Sequence, residues 1–388
     1  MPRPTRQNKP PLTAFRIMVI MFAAGVLMAL SAAGAIWLLS EDTAGLPPSA
    51  DDLSTFNRLY LRAYLRINEY GLNTASAAAD GVFEVREGET ALVICQRLQT
   101  EGWTPSADLV SNYLVYTGGD RSIGSGMFLL RAGQSPRQIA DSMASGESKV
   151  RTFTIFAGWR LEETAQALPA SGIAITPTEF LVAAAARPGS GTSLDALYRE
   201  IPAGATLEGF LLPGTYNVPP GESANGLVWR MAQAFQQSMP QDWITAYNAH
   251  GLTFHQAVTL ASIIQREAQL EDEMPLIASV FYNRLQINNR LETDPTVQYA
   301  LGFLPDRGGW WANPLLETDF QIDSPYNTFL YFGLPPGPIS SPGLAALKAV
   351  AFPAESTFLF FRAACDGSGR HNFAETNLQH NAFACGGE

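Results

Sequence analysis

Cysteine is scarce in this chain of 388 residues. The three present, Cys95, Cys365 and Cys385, lie far apart and none belongs to a Cys-x-x-Cys pair, which excludes a disulfide scaffold, a zinc ribbon and a dithiol redox motif. Histidine is nearly as sparse. His250, His255, His371 and His380 form neither an HExxH motif nor a close pair on one helix face, so no metal site is expected. Charged side chains make up 16% of the sequence and hydrophobic ones 46%, a balance that excludes a disordered tail or a collagen-like fibre and supplies one or two packed cores. Basic residues number 25 against 36 acidic ones, for a net charge of −11, so nucleic acid is not an expected partner. A neutral or zwitterionic polymer suits that charge better. There is no GxSxG elbow, P-loop or Rossmann fingerprint, so serine-hydrolase and nucleotide chemistry lack support and no cofactor is expected.

One long hydrophobic run is present. Ile17 to Ser40 holds 24 positions without a charged side chain, enough at 1.5 Å per residue to cross a hydrocarbon core about 30 Å thick. Arg3, Arg6, Lys9 and Arg16 precede it, and Glu41 and Asp42 follow. The positive-inside bias places residues 1–16 in the cytoplasm, 17–40 across the membrane and the rest outside. A cleaved signal peptide, with Ala33-Gly34-Ala35 as its small-residue site, is the alternative, although the run exceeds the usual core of about 7–15 residues. Without the four leading cations, the remainder carries 21 basic and 36 acidic groups, a net of −15.

The residues after the run divide by pattern. Residues 41–80 read as a linker that contains a helix, because Leu53, Phe56, Leu59, Tyr60, Ala63, Tyr64 and Ile67 recur at helical spacing. Residues 81–150 read as a small strand-helix unit with an internal echo, VREGET and its helix followed by FLLRAGQSPRQIADSMASG. VRTFTIFAGWRLEETAQAL starts a new strand, a turn at Gly158 and a helix, which puts a boundary near residue 150 and leaves 151–388 as one larger domain. The expected fold class is therefore α+β: one transmembrane helix, a small α/β subdomain and a larger mixed α+β domain.

The most informative stretch is 251–285. Thr253 and Gln256 have the spacing of a capping box, and the helix that they open carries Ala257, Leu260, Ala261 and Ile264 on one face. Glu267 continues that face. A carboxyl group turned toward apolar side chains loses hydration, so its pKa rises above the reference of about 4.3 and it keeps a proton near neutrality, as a general acid requires. An ordinary buried glutamate paired with Arg284, or a helix-end glutamate reaching water, would produce the same letters. Pro275 in the first turn of the next helix, which runs to Leu285, predicts a helix-turn-helix with Glu267 near the bend. Farther on, Pro335-Pro336-Gly337-Pro338 and Pro342-Gly343 predict a rigid extended wall. Tyr299, Tyr326, Phe329, Tyr331 and Phe332 are the right type to stack on sugars, and equally the right type for a core. Asp294 and Asn327 are candidate hydrogen-bond partners for hydroxyl or amide groups, and each is also suited to capping a turn.

ASIIQREAQLEDEMPLIASVFYNRLQINNRLETDPTVQYALG, YNTFLYFGLPPGPISSPG, RHNFAETNLQHN and LEGFLLPGTY together resemble the endolytic murein transglycosylase (YceG-like) family over about residues 151–388, with several spaced motifs in the family's order. The resemblance implies a single-span inner-membrane enzyme that cuts nascent peptidoglycan strands internally and leaves 1,6-anhydro-N-acetylmuramic acid ends. No cofactor or metal is implied, and peptidoglycan synthases are the protein partners that such a role suggests. The family's catalytic glutamate falls on Glu267. Glu208, Tyr216, Arg284, Thr293, Asp294, Thr296, Tyr326 and Asn327 are the expected substrate-binding residues. VREGETALVICQRLQTEGW is similar to a LysM-like segment, so 81–150 is expected to be a LysM-like subdomain. Two positions depart from the family pattern: Gly214 stands where it has Asp in Pro-Asp-Thr-Tyr, and Phe156-Ala157 stand where it often has Pro-Glu. A hydrolytic muramidase using Asp294 or Glu271 beside Glu267, and a non-catalytic wall-binding scaffold, are the rival readings. Cys365 and Cys385 are either bridged or free.

Overall fold

The structure is a computed structural model that describes residues 12–39, 45–186 and 194–385. Arg3, Arg6, Lys9 and linker residues 40–44 lie outside the described residues. By contact density the chain divides into two units, residues 1–150 and 151–388.

In the first unit, α1 (Leu12–Leu39) is the one described helix long and apolar enough to cross a membrane. Its stretch Phe15–Gly34 has a mean hydropathy of 2.3 and none of it is buried. Ser54 caps α2 (Thr55–Ile67) by accepting a hydrogen bond from the Asn57 N–H at 3.2 Å, and α3 (Glu69–Asn73) follows. Next come β1 (Gly81–Val85), α4 (Ala91–Thr100), α5 (Ala107–Thr117), β2 (Gly126–Leu130) and α6 (Pro136–Ser145). β1 and β2 pair antiparallel with Phe83 opposite Phe128, and both rings are buried with Leu65, Tyr113 and Ile139.

The second unit opens with β3 (Arg151–Ile155) and α7 (Leu161–Ala170), and these complete a repeat. At 81–100, 126–145 and 151–170, a five-residue strand, a five-residue connection and a ten-residue helix follow one another with the same spacing. Gly88, Gly133 and Gly158 occupy the same place in the three connections, at φ of 79°, 78° and 86°. That backbone region is open to glycine and costly for other residues, so the three turns share one physical requirement. The third copy pairs differently from the first two: β3 joins β4 (Gly214–Val218), with Phe153 opposite Tyr216.

Between and beyond these strands lie α8 (Pro177–Ala185), α9 (Asp195–Glu200), α10 (Ala224–Gln237) and α11 (Gln241–Ala249). The central pair is α12 (Phe254–Glu267) and α13 (Met274–Gln286), with a short 3-10 turn at Glu271–Glu273 between them. α14 (Asp294–Leu301) leads into irregular chain, and α15 (Leu344–Ala351) packs on both α12 and α13. Apart from the exposed Gln256, every residue of α12 from Phe254 to Ile264 is buried. A fully buried Leu or Ile contributes roughly 1.5–3 kcal/mol, so this helix and its neighbours Ile277, Leu347 and Val350 anchor the core. β5 (Phe360–Ala363) and β6 (His371–Ala374) form an antiparallel ribbon, closed beyond α16 (Asn377–Ala382) by a Cys365–Cys385 disulfide with its Cα atoms 5.5 Å apart.

Candidate active site

The Thr253–Gln256 capping box is formed. The Thr253 N–H donates to Gln256 Oε1 at 2.9 Å, and the Gln256 N–H donates to Thr253 Oγ1 at 3.2 Å. From that start the helix runs to Glu267, its last residue, with Ala268 as the C-cap. The rigid wall runs beside it. Ile339 N–H donates to Ser262 Oγ at 3.0 Å, Ser340 Oγ donates to Ser262 O at 3.1 Å, and Gly343 N–H donates to Gln265 Oε1 at 3.0 Å. The wall also binds the turn of the third repeat, through Gly158 N–H to Ser341 O at 2.8 Å and Ser341 N–H to Trp159 O at 2.7 Å.

Glu267 keeps partial access to solvent although protein encloses it densely. Desolvation pushes its carboxyl up to about 7; Asp294 adds to the rise, while the nearby Thr293 hydroxyl, Arg266 and Arg284 oppose it. Arg284 is nevertheless engaged elsewhere. Its Nη1 lies 3.1 Å from Glu292 Oε2 and 2.9 Å from Leu291 O, and its Nε donates to Leu359 O at 2.6 Å. Among the described residues no salt bridge closes on Glu267, so the ordinary Glu267–Arg284 pair is not what forms.

Thr293, Asp294, Arg284 and Glu267 thus come together. Asp294, the first residue of α14, is exposed, although its surroundings are dense enough to raise its pKa by desolvation. Thr293 is 2% exposed and is held from behind. Its N–H donates to Thr328 Oγ1 at 3.1 Å, and Thr296 Oγ1 lies 2.8 Å from Thr328 Oγ1 and donates to Thr293 O at 2.7 Å.

Glu208 belongs to a second cluster. Its Oε2 accepts the Leu161 N–H at 3.1 Å at the start of α7, its Oε1 has no partner, and desolvation pushes its carboxyl up to about 8. Tyr299 and Tyr326 stand beside it with ring centroids 4.8 Å apart. Tyr216 lies on β4, where its hydroxyl donates to Leu212 O at 2.6 Å. Asn327 is fully buried, with its Nδ2 donating to Phe320 O and Ile322 O, both at 3.0 Å, and its Oδ1 accepting from Phe329 N–H at 3.0 Å. These bonds occupy Asn327 inside its own loop.

The sequence reading passed over two cationic residues. Arg160 is sandwiched with its Cζ 4.1 Å from the Tyr299 ring and 4.5 Å from the Trp310 ring, and the Arg266 Cζ sits 3.8 Å over Trp311. The available signal was the Gly308-Gly309-Trp310-Trp311 run, two aromatics placed directly after a glycine turn. The ending RHNFAETNLQHN also acquires a place. His371 Nδ1 and the buried Glu273 Oε2 are 3.0 Å apart, and Arg370 pairs with Asp272 at 2.8 Å, both on the turn that follows Glu267.

A family model for YceG-like proteins matches residues 83–384. The chain belongs to the YceG-like family. Among relatives, the endolytic murein transglycosylase of Bacillus subtilis (strain 168) is 36% identical over 176 residues, which is 45% of this chain and 46% of that protein. The endolytic murein transglycosylase of Streptococcus pneumoniae (strain D39) is 32% identical over 157 residues, 40% of this chain and 28% of that protein. This YceG-like chain therefore aligns with less than half the length of either relative. A crystal structure of a YceG-like protein from Listeria monocytogenes superposes with a TM-score of 0.54 at 28% identity, covering 79% of this chain and 99% of that one.

Proposed function

We propose that this YceG-like protein is a membrane-anchored endolytic transglycosylase, which cleaves the bond between N-acetylmuramic acid and N-acetylglucosamine inside nascent peptidoglycan strands and so limits their elongation. The observation that carries the reading is a partly accessible Glu267 whose carboxyl is raised to about 7 with no salt bridge holding it ionised. Protonated Glu267 gives its proton to the glycosidic oxygen as the bond to C1 breaks. The carboxylate then takes the proton of the muramic acid C6 hydroxyl, whose oxygen bonds to C1 and forms the 1,6-anhydro ring. Glu267 ends protonated, as it began. The nucleophile belongs to the same sugar, so proximity takes the place of a positioned water or a second carboxylate. Asp294, exposed beside the acid, is assigned to sugar contact, while Thr293, Thr296 and Asn327 hold the loop behind it.

Residues 151–388 carry the catalysis in this reading and 81–150, as a LysM-like subdomain, hold glycan. The exposed apolar helix α1 anchors the chain with the residues that follow it outside the cytoplasm, and the Cys365–Cys385 disulfide suits that oxidising side. Peptidoglycan synthases are the protein partners this role suggests. Proximity of Asp294 to Glu267 favours one rival, hydrolysis of the same bond with Asp294 as second carboxylate. Mass analysis of digested glycan strands separates the two. Transglycosylation gives products lighter by one water than the products of hydrolysis, and hydrated ends alone would overturn the proposal.

A further inference from the structure

The second unit has a cavity of about 1490 Å³ at the end of α12 remote from Glu267. The helix α12 is fourteen residues long from Phe254 to Glu267, so the cavity lies roughly 20 Å from the acid along the helix. Thr253, His255 and Gln256 bring the positive end of α12 to its wall. His255 is 7% exposed and its ring stacks on Phe210 with centroids 5.8 Å apart. Among the described residues, neither ring nitrogen has a hydrogen-bond partner. Burial lowers its pKa, so the imidazole is neutral and presents one N–H donor toward neutral pH. A carboxylate at the helix amino terminus would accept from that donor.

The remaining lining restricts what else binds. Sugars are gripped by exposed ring faces, but Tyr282 is 8% exposed with its hydroxyl donating to Val350 O at 2.8 Å. Phe352 is the lining aromatic with a substantial exposed surface, at 46%. Glu200 and Glu355 are exposed on the same lining together with Arg199, so the lining carries both signs of charge.

We infer that this cavity is a binding site for a short zwitterionic peptide, its carboxylate received by His255 and the α12 amino terminus and its amine by Glu200 and Glu355. The biological sense of the site rests on the proposed function, because wall glycan carries short peptides with free carboxylates and amines. A peptide held at a fixed distance from Glu267 would set which internal bond of the strand reaches the acid.

The test uses the full-length chain in detergent micelles carrying Glu267→Gln, so that nothing is cleaved and the binding result stands whether or not the transglycosylase reading does. The probes are a lysine-containing tetrapeptide with a free carboxyl terminus, its carboxy-terminal amide, and the same peptide with norleucine for lysine. Calorimetric titration should show the free acid binding about tenfold or more tightly than the amide. His255→Phe should remove that difference, and Glu200→Gln should weaken the lysine peptide but not the norleucine one. Glu200 is exposed, so its variant and the peptide series decide the matter even if His255→Phe does not fold. Equal binding of acid and amide, or no binding of either at millimolar concentration, overturns the inference.

Discussion

Arg284 places its Nη1 3.1 Å from Glu292 Oε2 and so directs its charge away from Glu267. The two carboxylates compete for one buried guanidinium, and Glu292 has it. With that arrangement the Glu267 carboxyl can be raised to about 7 rather than held in the usual carboxylate range.

Glu292→Gln should therefore lower the Glu267 pKa. The substitution removes one negative charge and leaves the positive charge of Arg284 less compensated. Activity depends on the protonated acid, so it falls as pH rises, and in Glu292→Gln the fall should come at lower pH than in the wild type. Initial rates of strand cleavage across a pH series measure this.

Thr293→Val should act in the opposite direction. The Thr293 hydroxyl stabilises the Glu267 carboxylate, so its removal raises the pKa and moves the fall in activity to higher pH. Thr293→Ser keeps a hydroxyl and should restore the wild-type profile, a distinction that loss of packing would not make.

How much of this was legible in the sequence depends on the range of the interaction. The Thr253–Gln256 box and the apolar face leading to Glu267 are local, governed by helix geometry within a few residues, and they read directly from the letters. So did the strand, turn and helix around Gly158. The partner of Arg284 did not, because Glu292 reaches it only after the chain reverses at Asn288 and Asn289. The stacking of Trp311 on Arg266 and the enclosure of Asn327 by carbonyls also depend on tertiary packing. Polar side chains such as Tyr216 look available for ligands in a sequence, and only the fold reveals that a backbone carbonyl already receives the hydroxyl.

Stability should decline as pH rises toward 8. Glu208 and Glu267 keep protons to about 8 and about 7 in the fold, against a reference of 4.5. Their contribution is fully present below the unfolded pKa and is lost as pH rises through the folded values, with a slope of about 1.4 kcal/mol per pH unit for each group. Glu208→Gln retains an acceptor for the Leu161 N–H and removes one titration. Urea denaturation at several pH values should show a shallower decline for the variant and greater stability than wild type near pH 8.

Reduction of the Cys365–Cys385 disulfide should loosen the carboxy-terminal ribbon. The bridge closes a loop with a sequence separation of 20, for which chain entropy gives about 3 kcal/mol. Denaturation with and without reductant should show a loss of that order, and Cys365→Ser should match the reduced protein.

The most direct test is the pH dependence of glycan-strand cleavage by the wild type and by Glu267→Gln. The account requires a wild-type rate that falls as pH rises through about 7, and a variant slower by roughly 10²–10⁴-fold, the usual contribution of a general acid. Cleavage by Glu267→Gln at the wild-type rate would contradict it.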